Sequence, residues 1–532
     1  ALQGPSAEKL MGRIRKRYQV ALIDEFQDTD LVQYEIFRKI FMAAKHSVFF
    51  IGDPKQSIYQ FRGADIFTYC QAKQEIESDK SAHIYHLETN YRSDKGLVDA
   101  VNYIFETTKD AFINEEIKFQ TAVASHSDSR LTLDGLAESP FQMWFLKNEN
   151  KSKFAIGEAT QRIVNACASE IVRLLNYQNR LLLEEGEQGR GIRPQDICIL
   201  VRSHRQAEQM QKALYLLDVP NVLKTKSTIY QSTEFKELLM ILEGIVAYQQ
   251  PSRVFAALAT DVIGTSGTQL FELVHQDAQW EKVAEEFHIY HQLWRDNSFF
   301  MMISYFMRQN DIRGHYFRFE NGERRLTNLL HAIEVLHKAE SALKLSMPAL
   351  IKWAKASGMA PSQGEGEEIR LESDDNSVKI MTIHNSKGLE FPIVFCPFSW
   401  KSGISRDVIF HREHDLVMDL GSKNQSDNKK KAQAEILAED VRLLYVALTR
   451  ARQKCYLVWG DINGTERSPL THLLHEGKLK ESGLKNGKKA QVNKDLWLEL
   501  EDWAAQSDGS IQLNRLPPGK AEQYAKPGIE AL

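Results

Sequence analysis

Short apolar runs end abruptly in polar loops at three places near the start of the chain. Residues 18–23 (YQVALI) and 48–51 (VFFI) are rich in β-branched and aromatic side chains, which predicts strands buried on both faces. Residues 84–87 predict a third strand, and helical periodicity follows at 30–44 and 95–106. This repeated order of strand, loop and helix predicts a parallel sheet.

The rest of the chain predicts a second α/β unit that a helical segment interrupts. Strands are predicted at 142–146, 197–201, 378–383, 393–397 and 455–459, and helices at 158–177, 204–217, 233–248 and 433–453. Between about 250 and 360 helical periodicity replaces the strand pattern, which predicts an all-α insertion. Residues 361–368 predict a hinge by composition, and 107–140 and 423–431 predict irregular segments.

Composition narrows the class of protein only slightly. The formal net charge is −4, so any contact with DNA has to come from a local groove. The five cysteines are widely spaced without a CxxC pair, which predicts buried free thiols in a reducing cytoplasm. No apolar run approaches the length of a membrane span. The chain starts with Ala, and its first strand already carries chemistry, so we expect a piece of a longer protein.

Adjacent carboxylates follow the first predicted strand. Asp24 and Glu25 lie where open α/β sheets place their ligands, at the carboxyl end of a strand. One carboxylate could hold Mg²⁺ while the other activates a water molecule. For this pair alone, solvated acids at a strand exit are the better interpretation. Chemistry-bearing loops recur after the later strands, and that recurrence favours a functional site.

Five stretches with polar, potentially functional side chains follow one another along the chain, at 24–28, 52–65, 87–93, 378–395 and 441–452. Together they resemble motifs II to VI of superfamily 1 DNA helicases of the UvrD/Rep/RecB group. Any one stretch is a weak signal, whereas five in order are specific. Within this group, residues 24–34, 52–69 and 322–327 are most similar to the RecB branch, the beta subunits of exodeoxyribonuclease V.

The resemblance implies an ATP site with Mg²⁺. It assigns Asp24 to the metal and Glu25 to water activation, with Gln56, Arg92 and Arg450 on the γ-phosphate. It assigns Tyr91 to adenine stacking and Glu390 to the ribose hydroxyls. Without the resemblance, loop capping, surface ion pairs and strand-end packing explain the same side chains.

The resemblance also implies contact with single-stranded DNA. The implied residues share an aromatic, basic or hydrogen-bonding side chain in a loop, and they are Tyr59, Phe61, Arg62, Thr382 and His384. Stacking of bases on aromatic rings tolerates any sequence, which suits a motor that moves along DNA. Core packing is the alternative for Tyr59 and Phe61, and Arg442 is more simply explained as structural.

The implied fold is α/β, with two RecA-like parallel-sheet domains, the first incomplete, and an all-α insertion in the second. The predicted divisions are 1–110 (first RecA-like domain), 111–250 and 371–465 (second RecA-like domain), 251–370 (insertion) and 466–532 (C-terminal extension or linker). The implied function is the ATP-dependent 3′→5′ DNA helicase subunit of a cytoplasmic bacterial RecBCD-type helicase-nuclease that acts at DNA ends in repair and recombination. RecC-like and RecD-like subunits are the implied partners.

Two sequence features of the family are missing. No GxxxxGK[ST] motif occurs, and no Asp…Glu-x-Lys constellation follows a strand after residue 460. We therefore expect the polypeptide by itself to hydrolyse no ATP and cut no DNA. A freestanding UvrD- or AddA-type helicase and a non-catalytic DNA- or protein-binding module remain as alternative functions.

Overall fold

The computed structural model of the chain resolves two compact units. It describes residues 2, 4, 6–42, 47–60, 64–127, 129–133, 136–137, 139–150, 153–176, 180–182, 189–224, 229–319, 322–359, 376–403, 407–412, 415–475, 496–519 and 522–525. The larger unit consists of Ala1–Lys224 and Asn376–Leu532, and the smaller unit is Thr225–Asp375.

The described strands all belong to the larger unit. They are β1 (Val20–Ile23), β2 (Ser47–Phe50), β3 (Thr89–Asp94), β4 (Val123–His126), β5 (Leu131–Leu133), β6 (Leu136–Ala137), β7 (Phe141–Leu146), β8 (Arg180–Leu182), β9 (Arg190–Gly191), β10 (Ile197–Val201), β11 (Asn221–Lys224), β12 (Val378–Thr382), β13 (Phe391–Cys396), β14 (Val408–Arg412), β15 (Asp415–Asp419), β16 (Ala451–Gly460) and β17 (Ile511–Arg515).

Helices occur in both units. They are α1 (Ala7–Arg17), α2 (Leu31–Ile40), α3 (Ile66–Ser78), α4 (Lys95–Glu106), α5 (Ile156–Asn176), α6 (His204–Tyr215), α7 (Thr233–Val246), α8 (Pro251–Leu258), α9 (Gly267–His275), α10 (Asp277–Asp296), α11 (Phe299–Gln309), α12 (Ile312–Tyr316), α13 (Gly322–Leu343), α14 (Met347–Met359), α15 (Gln425–Leu448), α16 (Pro469–His475) and α17 (Leu496–Ala505). Helices α7 to α14 form the smaller unit.

A seven-stranded parallel sheet in the order β11-β12-β10-β13-β16-β7-β17 forms the core of the larger unit. Every residue of β10 is buried, as expected for a strand with both faces covered. In the middle of the sheet the rings of Phe395 and Tyr456 stack with centroids 4.2 Å apart. The predicted α/β class with a parallel sheet is therefore confirmed.

Strands β1 and β2 pair in parallel as a separate two-stranded sheet. The prediction that both are buried on both faces is wrong, because Leu22 is 65% exposed and Phe49 is 54% exposed. Their opposite faces pack on α1 and α2 through Ala21, Val48 and Phe41. One apolar face of this small sheet is therefore open in the described chain.

The predicted strand at 84–87 is wrong. These residues have no regular structure. Leu87 is 97% exposed, so its side chain is not covered by other described residues, although the apolar pattern predicted burial. The strand of this region is β3, which starts at Thr89 and pairs with β4. Segment 107–140 was predicted to be irregular, yet it contains β4, β5 and β6.

Helix α15 differs from the prediction at both ends. It starts at Gln425, inside the segment 423–431 that was predicted to be a loop, because the first turns of an exposed helix can be polar all round. It ends at Leu448 instead of residue 453, since residues from Ala451 onward pair with β13 in the sheet. Arg450 consequently lies in the turn between helix and strand.

In the ranges 229–319 and 322–359 the smaller unit contains helices and no strand, in keeping with the all-α character predicted for the insertion. The unit starts at Thr225, before the predicted start at residue 251, and therefore also includes α7. Its core joins α7, α8, α10, α11 and α13 around buried side chains such as Phe235, Trp294 and Leu336. None of the helices within the described ranges has the length and apolar character needed to cross a membrane.

Candidate functional site

The loop after β1 holds two acids in an unusual backbone conformation. Glu25 adopts a left-handed conformation with φ of 50°, which is uncommon for a residue other than glycine. The Glu25 N–H donates to Asp24 Oδ1 at 2.8 Å, and Gln27 Nε2 donates to Glu25 Oε2 at 2.5 Å. Both carboxylates are exposed, so they remain accessible to a cation or to water.

Lys387 connects this loop to the loops after β2 and β12. Its ammonium group pairs with Asp28, lies 3.3 Å from Glu25 Oε2 and donates to the backbone carbonyl of Gln56 at 3.0 Å. The same nitrogen lies 5.2 Å from the centroid of the Tyr59 ring. Because the Lys387 side chain is only 6% exposed, its ammonium group interacts with these three loops and hardly with solvent.

Asp28, the third acid of the loop after β1, has a pKa that differs from its ordinary value. Burial raises its pKa, and the hydrogen bond from Lys387 opposes that rise. Its second oxygen, Oδ1, is buried and accepts no hydrogen bond from any residue that the structure describes. One carboxylate oxygen of Asp28 therefore accepts a hydrogen bond from Lys387, and the other can accept one from a further donor.

Gln56 and Arg450 meet through their side chains. Gln56 ends a short 3-10 turn, Pro54–Gln56, and its amide Nε2 donates to Asp53 Oδ2 at 3.1 Å. Arg450 Nη2 donates to Gln56 Oε1 at 3.3 Å. The structure thus brings together two residues that are nearly 400 positions apart in the sequence.

The guanidinium of Arg450 is almost completely buried. It is 1% exposed and donates to the carbonyl oxygens of Val446 (3.0 Å) and Leu389 (3.2 Å). Burial, and secondarily the positive charge of Arg92, lowers the pKa of Arg450 to about 10. A cation that is buried beside another cation favours a bound anion.

Arg92 lies on β3 and reaches the same region. Its Nε donates to Glu390 Oε2 at 2.7 Å and its Nη1 donates to the carbonyl of Thr449 at 3.1 Å. Glu390 also lies 3.8 Å from Arg452 Nε, so its carboxylate is shared by two arginines. Its assignment to a ribose stays a prediction. The ring of Tyr91 is 74% exposed and is open to stacking.

The residues predicted to contact DNA are only partly described. The Tyr59 hydroxyl donates to the backbone carbonyl of His384 at 3.0 Å, and their ring centroids are 6.2 Å apart. Thr382 is the last residue of β12 and precedes the turn that carries His384. Phe61 and Arg62 lie outside the described residues, so their positions stay predictions.

Sequence reasoning missed Lys387, Asp28 and Asp53. The available signal for Lys387 was a cation directly before Gly388, whose φ of 80° makes the turn after β12. Asp28 had the weaker signal of a third acid in the loop that follows β1. None of the three stands out without the contacts between loops.

Two domain families match most of the chain up to residue 461. The UvrD/REP helicase N-terminal domain matches residues 2–77, and the UvrD-like helicase C-terminal domain matches 85–278 and 271–461. The chain belongs to the UvrD-like helicase family. The matched ranges include each loop of the site described above.

Individual relatives of this UvrD-like helicase chain are proteins named RecBCD enzyme subunit RecB. The chain is 37% identical to the Escherichia coli (strain K12) protein, over 97% of this chain and 45% of that protein. It is 32% identical to the Haemophilus influenzae protein over 92% of this chain and 40% of that protein. The Mycobacterium tuberculosis protein is 27% identical over 94% and 45%, respectively. The chain therefore spans less than half the length of these curated relatives.

Proposed function

We propose that this chain forms part of the motor of an ATP-driven 3′→5′ DNA helicase subunit of the RecBCD type. The contact between Arg450 and Gln56 is the observation that carries the proposal, because it joins the loop after β2 to the turn between α15 and β16 around one buried cation. The similarity to RecB proteins supports the RecBCD type over a freestanding helicase. The proposed setting is the bacterial cytoplasm, with RecC-like and RecD-like partners and DNA ends as substrate.

The donor set of the site suits a magnesium-bound triphosphate. Asp24 and Glu25 offer exposed carboxylate oxygens, which are the ligands that Mg²⁺ prefers. No group of three or more His, Cys, Asp or Glu side chains in the described ranges could hold a metal ion alone. Asp24 would therefore hold the ion together with phosphate oxygens, and the ion would neutralise charge on the phosphates.

The side chains of the chain itself perform the remaining work. Glu25, held by Gln27, orients the attacking water and accepts its proton. Gln56 orients the same water through its amide, while Arg92 and Arg450 stabilise the charge that develops on the γ-phosphate. Before phosphate arrives, Glu390 and Gln56 satisfy these two guanidinium groups.

Contact with DNA is coupled to this chemistry through neighbouring loops. Tyr59 lies three residues after Gln56, and His384 lies three residues before Lys387. The Lys387 ammonium pairs with Asp28, donates to the Gln56 carbonyl and lies 3.3 Å from Glu25 Oε2. A shift of either DNA-contact loop would therefore reach Glu25 through this side chain. This contiguous network is a physical route for coupling DNA binding to hydrolysis.

The experiment is single-strand-stimulated ATP hydrolysis by the protein expressed from its complete gene, with Glu25→Gln as the test variant. We expect kcat to fall about 10²–10⁴-fold, because the amide has the shape of the carboxylate but accepts no proton. Glu35→Gln, in an exposed ion pair with Arg38 on α2, is the matched control. Wild-type hydrolysis by the Glu25 variant would refute the proposed function.

A further inference from the structure

Strand β3 contains a bulge at the two residues proposed to contact nucleotide. Asn90 faces Ala124 on β4 and Asp94 faces His126, so the three residues between them on β3 together oppose a single serine. Three residues opposite one cannot complete a regular hydrogen-bond ladder. Bulges re-aim side chains, and here the bulge directs Arg92 toward Glu390 and leaves Tyr91 exposed.

Side chains satisfy the backbone groups that the ladder leaves open. Asn90 Oδ1 accepts from the N–H groups of Arg92 (2.8 Å) and Ser93 (3.0 Å). His126 Nε2 contacts the carbonyl oxygen of Tyr91 at 3.0 Å. The carbonyl oxygen of Arg92 accepts from Arg130 Nη2 at 2.9 Å.

Arg130 lies outside β3 and contacts both Asp94 and the backbone of Arg92. Its Nε donates to Asp94 Oδ1 at 2.5 Å, and its backbone N–H donates to Asp94 Oδ2 at 2.8 Å. The side chains are 11% (Arg130) and 3% (Asp94) exposed. One planar guanidinium thus bridges a buried carboxylate and the backbone of Arg92.

We propose that Arg130 is a positioning residue for the nucleotide site, which holds the β3 bulge so that Arg92 meets the γ-phosphate. The inference rests on the proposed function. Arg130 itself does not touch the reacting atoms, since its contacts are to Asp94 and to a backbone carbonyl. A lysine can pair with Asp94, but it lacks the rigid fork that reaches the Arg92 carbonyl at the same time.

The test is a double-mutant cycle on ATP hydrolysis by the protein expressed from its complete gene, with single-stranded DNA present. Arg130→Lys should lower kcat about tenfold, because a small displacement of a catalytic group is costly. In an Arg92→Ala background the same substitution should change kcat by less than about twofold, since no guanidinium is left to position. Arg162→Lys, in an exposed ion pair with Glu158 on α5, is the matched control.

Thermal melting separates misfolding from mispositioning. If Arg130→Lys does not fold, Asp94→Asn is the second variant, because it weakens the same bridge and keeps the side-chain shape. Equal losses from Arg130→Lys in the wild-type and Arg92→Ala backgrounds would overturn the positioning role, as would an unchanged kcat for both bridge variants. An unchanged kcat for Arg92→Ala alone would overturn the proposed function as well.

Discussion

Arg450 donates a hydrogen bond from Nη2 to the side-chain oxygen of Gln56 at 3.3 Å. The two residues belong to different loops, one after β2 and one between α15 and β16. The guanidinium is buried and three of its other contacts are to Val446, Leu389 and Thr449. Its position is therefore fixed before any ligand binds, which is the condition for effective electrostatic stabilisation of a transition state.

Arg450→Lys should lower kcat of single-strand-stimulated ATP hydrolysis about 10²–10³-fold, because an ammonium group cannot keep these contacts and also reach phosphate. The assay requires the protein expressed from its complete gene. Arg253→Lys, in an ion pair with Glu243 in the helical unit, should retain wild-type kcat. A loss of less than twofold in the Arg450 variant would show that the residue is structural.

Lys387→Met should destabilise the chain by about 3 kcal/mol, because it leaves the half-buried Asp28 carboxylate without its cation. The measurement is urea-induced unfolding of the chain itself. Asp28→Asn combined with Lys387→Met should recover part of the loss, since no unpaired charge remains. Lys338→Met, in an exposed pair with Glu334, is the control and should cost less than about 0.5 kcal/mol. Equal effects at Lys387 and Lys338 would contradict the bridging role.

Phe61→Ala should weaken binding of single-stranded DNA by about 1–3 kcal/mol, the usual contribution of one stacked base. Filter binding with oligonucleotides of mixed sequence measures the loss, and His384→Ala should weaken binding through the opposite loop. Phe300→Ala removes an aromatic ring that is 52% exposed in the helical unit and should leave affinity unchanged. If both loop variants bind single-stranded DNA as tightly as the wild type, the proposal that these loops contact DNA is wrong.

His411 gives the larger unit a pH-dependent contribution to stability. Its Nδ1 lies 2.9 Å from Glu435 Oε2, and Asp65 lies 3.9 Å from Nε2. The hydrogen bond to Glu435 raises the pKa of His411 above its ordinary value. Because the pKa of His411 is higher in the folded than in the unfolded chain, protonated His411 stabilises the folded state fully below about pH 6.5. This stabilisation is lost as pH rises through the pKa of the folded state.

His411→Gln should therefore lower the free energy of unfolding more at pH 6 than at pH 8.5. Urea unfolding at both pH values measures the difference, and His204→Gln at the exposed start of α6 is the control. A His411→Gln effect that does not change with pH would show that the imidazole stays neutral in the folded chain.

The central elements were predictable because their patterns reflect local physics. The apolar runs of β10, β12 and β13 need cover on both faces wherever they lie, so their sequence identifies them. Segment 84–87 has a similar composition, but none of the described strands pairs with it, and β3 begins two residues later. Whether a segment is buried depends on the residues that pack against it, which the sequence of the segment alone does not show.

The contacts of the site were less predictable than its residue types. Carboxylates and a glutamine after strands, together with two arginines, indicate phosphate chemistry, and their assigned roles stay predictions. The bridges made by Lys387 and Arg130 depend on loops that are distant in sequence. The only local signal for Lys387 is its position before Gly388, and Arg130 has none. Strand β17, which adds an edge to β7 through Ile511 and Leu513, likewise follows from pairing and not from its pattern.

All five cysteines are buried free thiols, and burial raises the pKa of Cys70 to about 12. The folded protein thus presents no reactive sulfur at its surface. A cysteine introduced at an exposed site would be the only surface thiol of this chain available to a maleimide dye. Fluorophores can then be attached to this chain without first removing its own thiols, so single-molecule measurements could follow its conformations with its sequence otherwise intact.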